Sequence, residues 1–172
     1  MPNITAMTIN RTARHSPTAR QARRRSGLRK NSIAIFMMLL AEYGFGMGVN
    51  LYARVPAADH RAGVATALGR TLTSQPVLLA AHATLGLLML AAGVSVLTRA
   101  ILARDRRAIA ASAAGLAAIV TAAISGATFV SSQQAGASMA MAVLTGVALL
   151  AYLATALMAA QPGVIIPGGP GE

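Results

Sequence analysis

The chain has 172 residues, 55% hydrophobic and 11% charged. A soluble domain carries about 25% charged residues. The absence of cysteine excludes disulfides and thiolate metal sites. The formal charge of +11 does not point to nucleic acid, because the basic residues are not interleaved with aromatics and flank apolar runs instead.

Residues 1–32 mix Thr, Ser, Asn, Gln, Pro and Arg with little apolar periodicity. They read as a basic, mostly disordered arm with a short basic helix near 18–30. Arg24-Arg25-Ser26-Gly27-Leu28-Arg29 resembles a twin-arginine signal. However, Gly27 stands where a bulky apolar residue is usual, and the following run is long and contains Glu42. That run is expected to be a retained first span.

Four apolar runs follow, at 33–53, 77–98, 108–130 and 136–160, and fill more than half of the chain. Each reaches the about 20 residues that cross a bilayer at 1.5 Å rise. The expected fold is an all-α membrane protein, a four-transmembrane-helix bundle over 33–160. The connection 54–76 is long enough for a short surface helix at 62–72, with Val64, Leu68 and Leu72 on one side. The turns after spans two and three are short, so those spans pair antiparallel. Residues 161–172, rich in Pro and Gly, form a non-helical tail.

Eight of the fifteen Lys/Arg residues lie before the first span, among them Arg23, Arg24, Arg25, Arg29 and Lys30. Arg99, Arg104, Arg106 and Arg107 lie between spans two and three, and only Arg54, Arg61 and Arg70 lie between spans one and two. Positive residues mark the cytoplasmic side, so both termini are expected there. The same arginines are expected to contact anionic lipid head groups. Arg-, Ala- and Gly-rich composition suggests a bacterial protein of the cytoplasmic (inner) membrane.

Within a bilayer, helices associate through close contact between small residues. Gly44 and Gly48 mark such a face on span one, with Gly46 between them. His82, Gly86, Met89 and Gly93 share a stripe on span two, and Gly115, Ile119, Ala122 and Gly126 repeat the rhythm on span three.

Glu42 is the most informative side chain. It lies ten residues into span one, about 16 Å from the span's outer end. An acidic group there costs about 2.5–3.5 kcal/mol on insertion scales and therefore faces the bundle interior. His82 lies about 9 Å and Asn50 about 4–5 Å from the outer ends of their spans. Ser125, Thr128 and Ser138 fall in the same half. Two readings follow for Glu42, Asn50 and His82. One is a hydrated, outward-facing pocket that exchanges protons or binds a cation. The other is a structural network that fixes helix register.

No metal site is expected. Asp59 and His60 are only two neighbours in a solvated loop, and Met37, Met38, Met139 and Met141 read as packing filler. No cofactor is expected either. Haem on His82 with Met47, Met89 or Met139 is the exception considered, but b-type membrane sites ordinarily need two facing histidines. No phosphate loop, Ser/His/Asp arrangement or paired acidic motif is present, so no enzyme is expected.

The segment Glu42-Tyr43-Gly44-Phe45-Gly46-Met47-Gly48-Val49-Asn50-Leu51-Tyr52 resembles an uncharacterised family of small bacterial four-span integral membrane proteins. His82, Gly126-Ala127-Thr128-Phe129-Val130 and Ser138-Met139-Ala140-Met141-Ala142 extend the likeness over about 33–160. It implies a four-helix membrane protein and brings no activity. Leu40-Ala41-Glu42 is also similar to small multidrug-resistance transporters, which carry a Glu mid-span in the first of four helices. The long 54–76 connection and the lack of Trp separate this chain from them, so that likeness is one of fold.

Three functional expectations result. The first is an accessory subunit of a larger membrane complex, with lipid and other membrane proteins as partners. The second is a small proton- or cation-coupled transporter using Glu42 with His82. The third is an electron-transfer subunit using His82.

Overall fold

A computed structural model describes residues 17–52, 66, 69, 77–132 and 134–161. The described residues form four long helices: α1 (Pro17–Tyr52), α2 (Val77–Ala103), α3 (Arg106–Ser132) and α4 (Ala135–Ala160). Each is long and apolar enough to cross a membrane. Only 17–33% of their most apolar windows is buried inside the bundle. Leu88, Val94, Ile124, Leu150 and Leu157 all point outward. A bundle with that much exposed apolar surface is solvated by lipid, and the chain is a multi-pass membrane protein.

The helices run up, down, up and down. α1 packs on α2 and α4, α3 packs on the same two, and α1 and α3 stand across the diagonal. One end of the bundle holds the start of α1, the α2–α3 turn and the end of α4, and is called the terminal end. The other holds the α1–α2 connection and the α3–α4 turn, and is called the distal end.

Every helix presents one seam in alternating steps of three and four, the spacing that winds helices into a left-handed supercoil. On α1 the seam is Leu28, Ser32, Ile35, Leu39, Glu42, Gly46 and Val49; on α2 it is Leu79, His82, Gly86, Met89, Gly93, Val96 and Ala100. On α3 it is Ala108, Ser112, Gly115, Ile119, Ala122 and Gly126; on α4 it is Ser138, Met141, Thr145, Ala148, Tyr152, Thr155 and Ala159. All of these are buried or half-buried.

The terminal half of this seam is filled. Ile35, Leu39, Met89, Val96, Ile119 and Tyr152 are buried there. Tyr152 is completely covered and lies between two glycines. A Cβ placed on Gly115 would fall 2.8 Å from its Cε2, and one on Gly93 would fall 2.8 Å from its hydroxyl oxygen. These two glycines are small because the tyrosine ring occupies their side-chain space.

Two sequence expectations are corrected. The segment from Pro17 to residue 32 is not a disordered arm with a separate short helix. It is continuous with span one in a 36-residue helix, about 54 Å long at 1.5 Å per residue. Arg, Ala, Leu, Gln and Lys are good helix formers. The packing seam already begins at Leu28 and Ser32, so tertiary contact reinforces propensity. Gly44 is not a packing residue within this chain either. It is exposed, and a Cβ there would meet nothing within 4 Å. The seam of α1 falls on Gly46, because Gly44 is two residues, about 200° of helical turn, from the Glu42 and Gly46 positions, while a Cβ on Gly48 would meet Leu78 at 3.6 Å. Residues 1–16, the expected surface helix at 62–72 apart from helical Thr66 and Gly69, and the tail beyond Gln161 lie outside the described residues.

The basic residues do more than line the terminal end. Arg24 Nη1 donates to the Leu102 carbonyl at 2.7 Å, and Arg25 Nη1 donates to the Gln161 carbonyl at 3.1 Å. Both acceptors sit at helix C-termini, where orphan carbonyls and the helix dipole favour a cation. Asp105 accepts from the backbone N–H groups of Arg107 and Ala108 at 3.2 and 3.3 Å, which makes it the N-cap of α3. It also lies 3.9 Å from Arg25. The other predicted topology residues, Arg23, Arg29, Lys30, Arg104, Arg106 and Arg107, are exposed.

The glycine cradle gives a direct test. Gly115→Ala should lower stability by about 1–3 kcal/mol, the ordinary effect of overpacking. Gly44→Ala and Gly146→Ala, with nothing within 4 Å, should be neutral or stabilising because Ala is the better helix former. Thermal unfolding in detergent, followed by loss of the monodisperse chromatographic peak, separates these outcomes.

Candidate functional site

Gly46, Gly86, Ala122 and Gly126 are small seam residues of the distal half, as Gly93 and Gly115 are of the terminal half, but here no aromatic seam side chain fills the space they leave. A cavity of about 700 Å³ results, lined by all four helices. Its wall is mostly apolar, with Leu39, Leu90, Ile119, Phe129 and Met141 among the contributors. Among the described residues, Glu42, Tyr43, His82, Ser138 and Thr145 are its polar side chains.

Glu42 and His82 meet across the α1–α2 interface. Nδ1 of His82 lies 3.0 Å from Oε1 of Glu42. The approach misses the line of a ring N–H, so this is a close contact between polar groups and not a directed hydrogen bond. The carboxylate side chain is 9% exposed and the imidazole 19%.

The two side chains fit because each lies against a glycine of the opposite helix. A Cβ on Gly86 would be 3.4 Å from Glu42 Oε1, and a Cβ on Gly46 would be 3.4 Å from His82 Cε1. Glu42 and Gly46 are four apart on α1, and His82 and Gly86 are four apart on α2. In antiparallel helices that spacing places each ionisable group opposite the other's glycine. The same register carries Asn31 Nδ2 to Ser95 Oγ at 3.4 Å near the terminal end.

The second carboxylate oxygen is left over. Among the described residues no protein group donates to Glu42 Oε2, which is covered by its neighbours. A buried acceptor without a partner costs about 1–3 kcal/mol, and more when charged. The terminal torsion of a Glu side chain is soft and roughly two-fold. A turn about it exchanges the two oxygens at the His82 contact.

The sequence-predicted polar residues divide. Glu42 and His82 come together, and Ser138 joins the cavity wall. Asn50 lies on α1, but its side chain falls outside the described residues. Ser125 and Thr128 do not line the cavity. Each bonds the carbonyl four residues back, at 2.9 Å, as Ser and Thr do within helices. Thr145 does line the cavity, but its hydroxyl donates to Met141 O at 2.9 Å. Gly126 meets Met141 Sδ, 3.1 Å from a placed Cβ, and Gly48 meets Leu78 at 3.6 Å. Of the methionines considered as haem ligands, Met47 and Met139 line the cavity wall while being largely exposed, and Met89 is buried at 4% exposure. Among the described residues no group of three His, Cys, Asp or Glu side chains converges on a metal-sized space.

No protein-family model, no curated protein and no solved structure matches this chain.

The contact between Glu42 and His82 predicts a coupling. In a double-mutant cycle of Glu42→Gln and His82→Gln, stabilities measured by thermal unfolding should be non-additive by about 0.5–3 kcal/mol. Strict additivity would mean that the two side chains do not sense one another.

Proposed function

We propose that this chain is a small proton- or cation-coupled transporter, with Glu42 as the group that takes up and releases the cation and His82 as its immediate partner. The reading rests on one observation: a nine-tenths buried carboxylate faces a cavity of about 700 Å³ with one oxygen unpartnered by any described residue. A carboxylate near the membrane midplane is expensive to keep and marks ion or proton pathways by default. A subunit that only supplied packing surface would gain from a filled seam, as in the terminal half. Here the seam is hollow where the ionisable groups lie.

The distribution of Lys and Arg supports a cytoplasmic-membrane location with both termini inside. The cavity then opens on the outer side, and the layer around Tyr152 closes it from the cytoplasm. Inward release would require that layer to part, and the Gly93 and Gly115 surfaces against which the ring lies are where the helices would slide.

Reconstitution tests the proposal. The purified chain in liposomes holding a trapped pH-sensitive dye should dissipate an imposed pH gradient faster than empty liposomes. Glu42→Gln keeps the shape of the side chain but cannot exchange a proton, and should abolish the excess rate while remaining folded. Equal rates for wild type and variant would overturn the transport reading. So would purification only as a large particle with fixed partner chains, which would favour the accessory-subunit reading.

A further inference from the structure

We propose that the terminal half of the seam hydrates into a single file of waters, held by the hydroxyls of Ser32, Ser112, Thr155 and Tyr152. This rests on the transport reading and gives the proton its inward route.

Tyr152 shares its level of the seam with Ile35, Gly93 and Gly115, because it lies against both glycines and Ile35 reaches the same space. One seam step toward the terminal end, about 4.5 Å along each helix, the positions are Ser32, Val96, Ser112 and Thr155. Besides Tyr152, the buried polar or charged side chains among the described residues are Glu42 and these three hydroxyls. Three helices thus place a hydroxyl at one level of the bundle, where Ala or Val would pack without desolvating a polar group. In the other direction one apolar layer, Leu39, Met89, Ile119 and Ala148, separates Tyr152 from the layer of Glu42.

The hydroxyls are complementary in what they lack. Ser32 donates to Leu28 O at 2.9 Å, Ser112 to Ala108 O at 2.7 Å and Thr155 to Ala151 O at 2.8 Å. Those bonds use the protons, and a hydroxyl oxygen still has lone pairs to accept with. Tyr152 is the reverse case. Its hydroxyl is completely covered and has no partner among the described residues, so its proton is unused. A Phe there would fill the same space against Gly93 and Gly115 without stranding a polar group.

Water satisfies both kinds of group. It donates to the Ser and Thr oxygens and accepts from the tyrosine, and buried waters ordinarily make about three such bonds. The ring fills the closed seam, so water enters when the helices part by one molecule's width at Gly93 and Gly115. A proton released by the Glu42 carboxyl to this file moves by exchange. Each water, and the tyrosine hydroxyl, accepts one proton and gives up another, so no hydroxyl keeps a charge. The ring still excludes anything larger than water.

The test uses the full chain in liposomes. Radiolytic hydroxyl-radical labelling, read by mass spectrometry, marks side chains that have a water beside them. Tyr152 should be labelled in the wild type despite its burial, and should lose most of that label when Ser112→Ala and Thr155→Val are combined. Tyr152→Phe should raise the thermal midpoint and yet lose most of the Glu42-dependent proton flux. A hydroxyl with a structural role only would change the midpoint and leave the flux as it was, and that result overturns the proposal. An unlabelled Tyr152 in the wild type also overturns it, so misfolding of a variant would not spare it. Glu42-dependent flux with Tyr152 unlabelled sinks this inference and leaves the transport reading standing. Labelling that depends on Ser112 and Thr155, without flux, supports the water file and sinks transport.

Discussion

All four helices share one packing seam, and the size of the residue at each seam position decides what that level of the bundle can do. Lipid cannot drive helices together by apolar burial, since its tails are as apolar as Leu. Close contact must do it, and contact depends on side-chain volume. In the terminal half the volumes complement one another, with Tyr152 filling the space left by Gly93 and Gly115. In the distal half Gly46 and Gly86 face His82 and Glu42, Gly126 faces Met141, and the space between the helices is not closed by a ring. The same glycine substitution thus has opposite consequences at two levels of one seam. Beside Tyr152 it admits a ring, and at Gly46 and Gly86 it admits two ionisable side chains and opens a cavity.

This arrangement gives the Glu42–His82 contact its character. The reciprocal glycines bring the two buried groups to 3.0 Å. Had Gly46 and Gly86 been Leu, the seam would close and neither polar side chain would fit. The terminal end supplies the complementary rigidity. Arg24 and Arg25 reach across from α1 to the carbonyl ends of α2 and α4, and Asp105 caps α3 beside them. Three helix ends are tied to the first helix there, whereas the distal half is held by small-residue contacts.

Much of this was written in the residues. The four runs announced the spans, and the stripes His82–Gly86–Met89–Gly93 and Gly115–Ile119–Ala122–Gly126 were seam segments as read. Glu42 was placed in the interior by its insertion cost alone. Other features were not legible, for definite reasons. Gly44 looked like a contact residue because glycine spacing shows periodicity but not phase. Phase comes from the larger residues Ile35, Leu39 and Glu42. The extension of α1 before residue 33 was hidden because a basic segment reads as solvated until its partners, carbonyls at two distant helix ends, are known. Ser125 and Thr128 had the right depth but the wrong face, and their hydroxyls are satisfied by their own helix. The cavity is a property of four facing seams and is not visible in any one of them. A signal was available in the paired spacing of Glu42 to Gly46 and His82 to Gly86, which only antiparallel pairing converts into a cradle.

The central claim, that the bundle is open in its distal half and sealed in its terminal half, can be measured directly because the chain has no cysteine of its own. Single cysteines at two seam positions suffice: Ala122→Cys in the cavity wall and Ala148→Cys in the filled core. With both termini inside, as proposed, a small, charged, membrane-impermeant thiol reagent should modify Ala122→Cys from the outside of right-side-out vesicles. Ala148→Cys should stay unmodified from either side until the protein is denatured. Equal protection of both positions, or modification of Ala148→Cys and not of Ala122→Cys, would contradict the account.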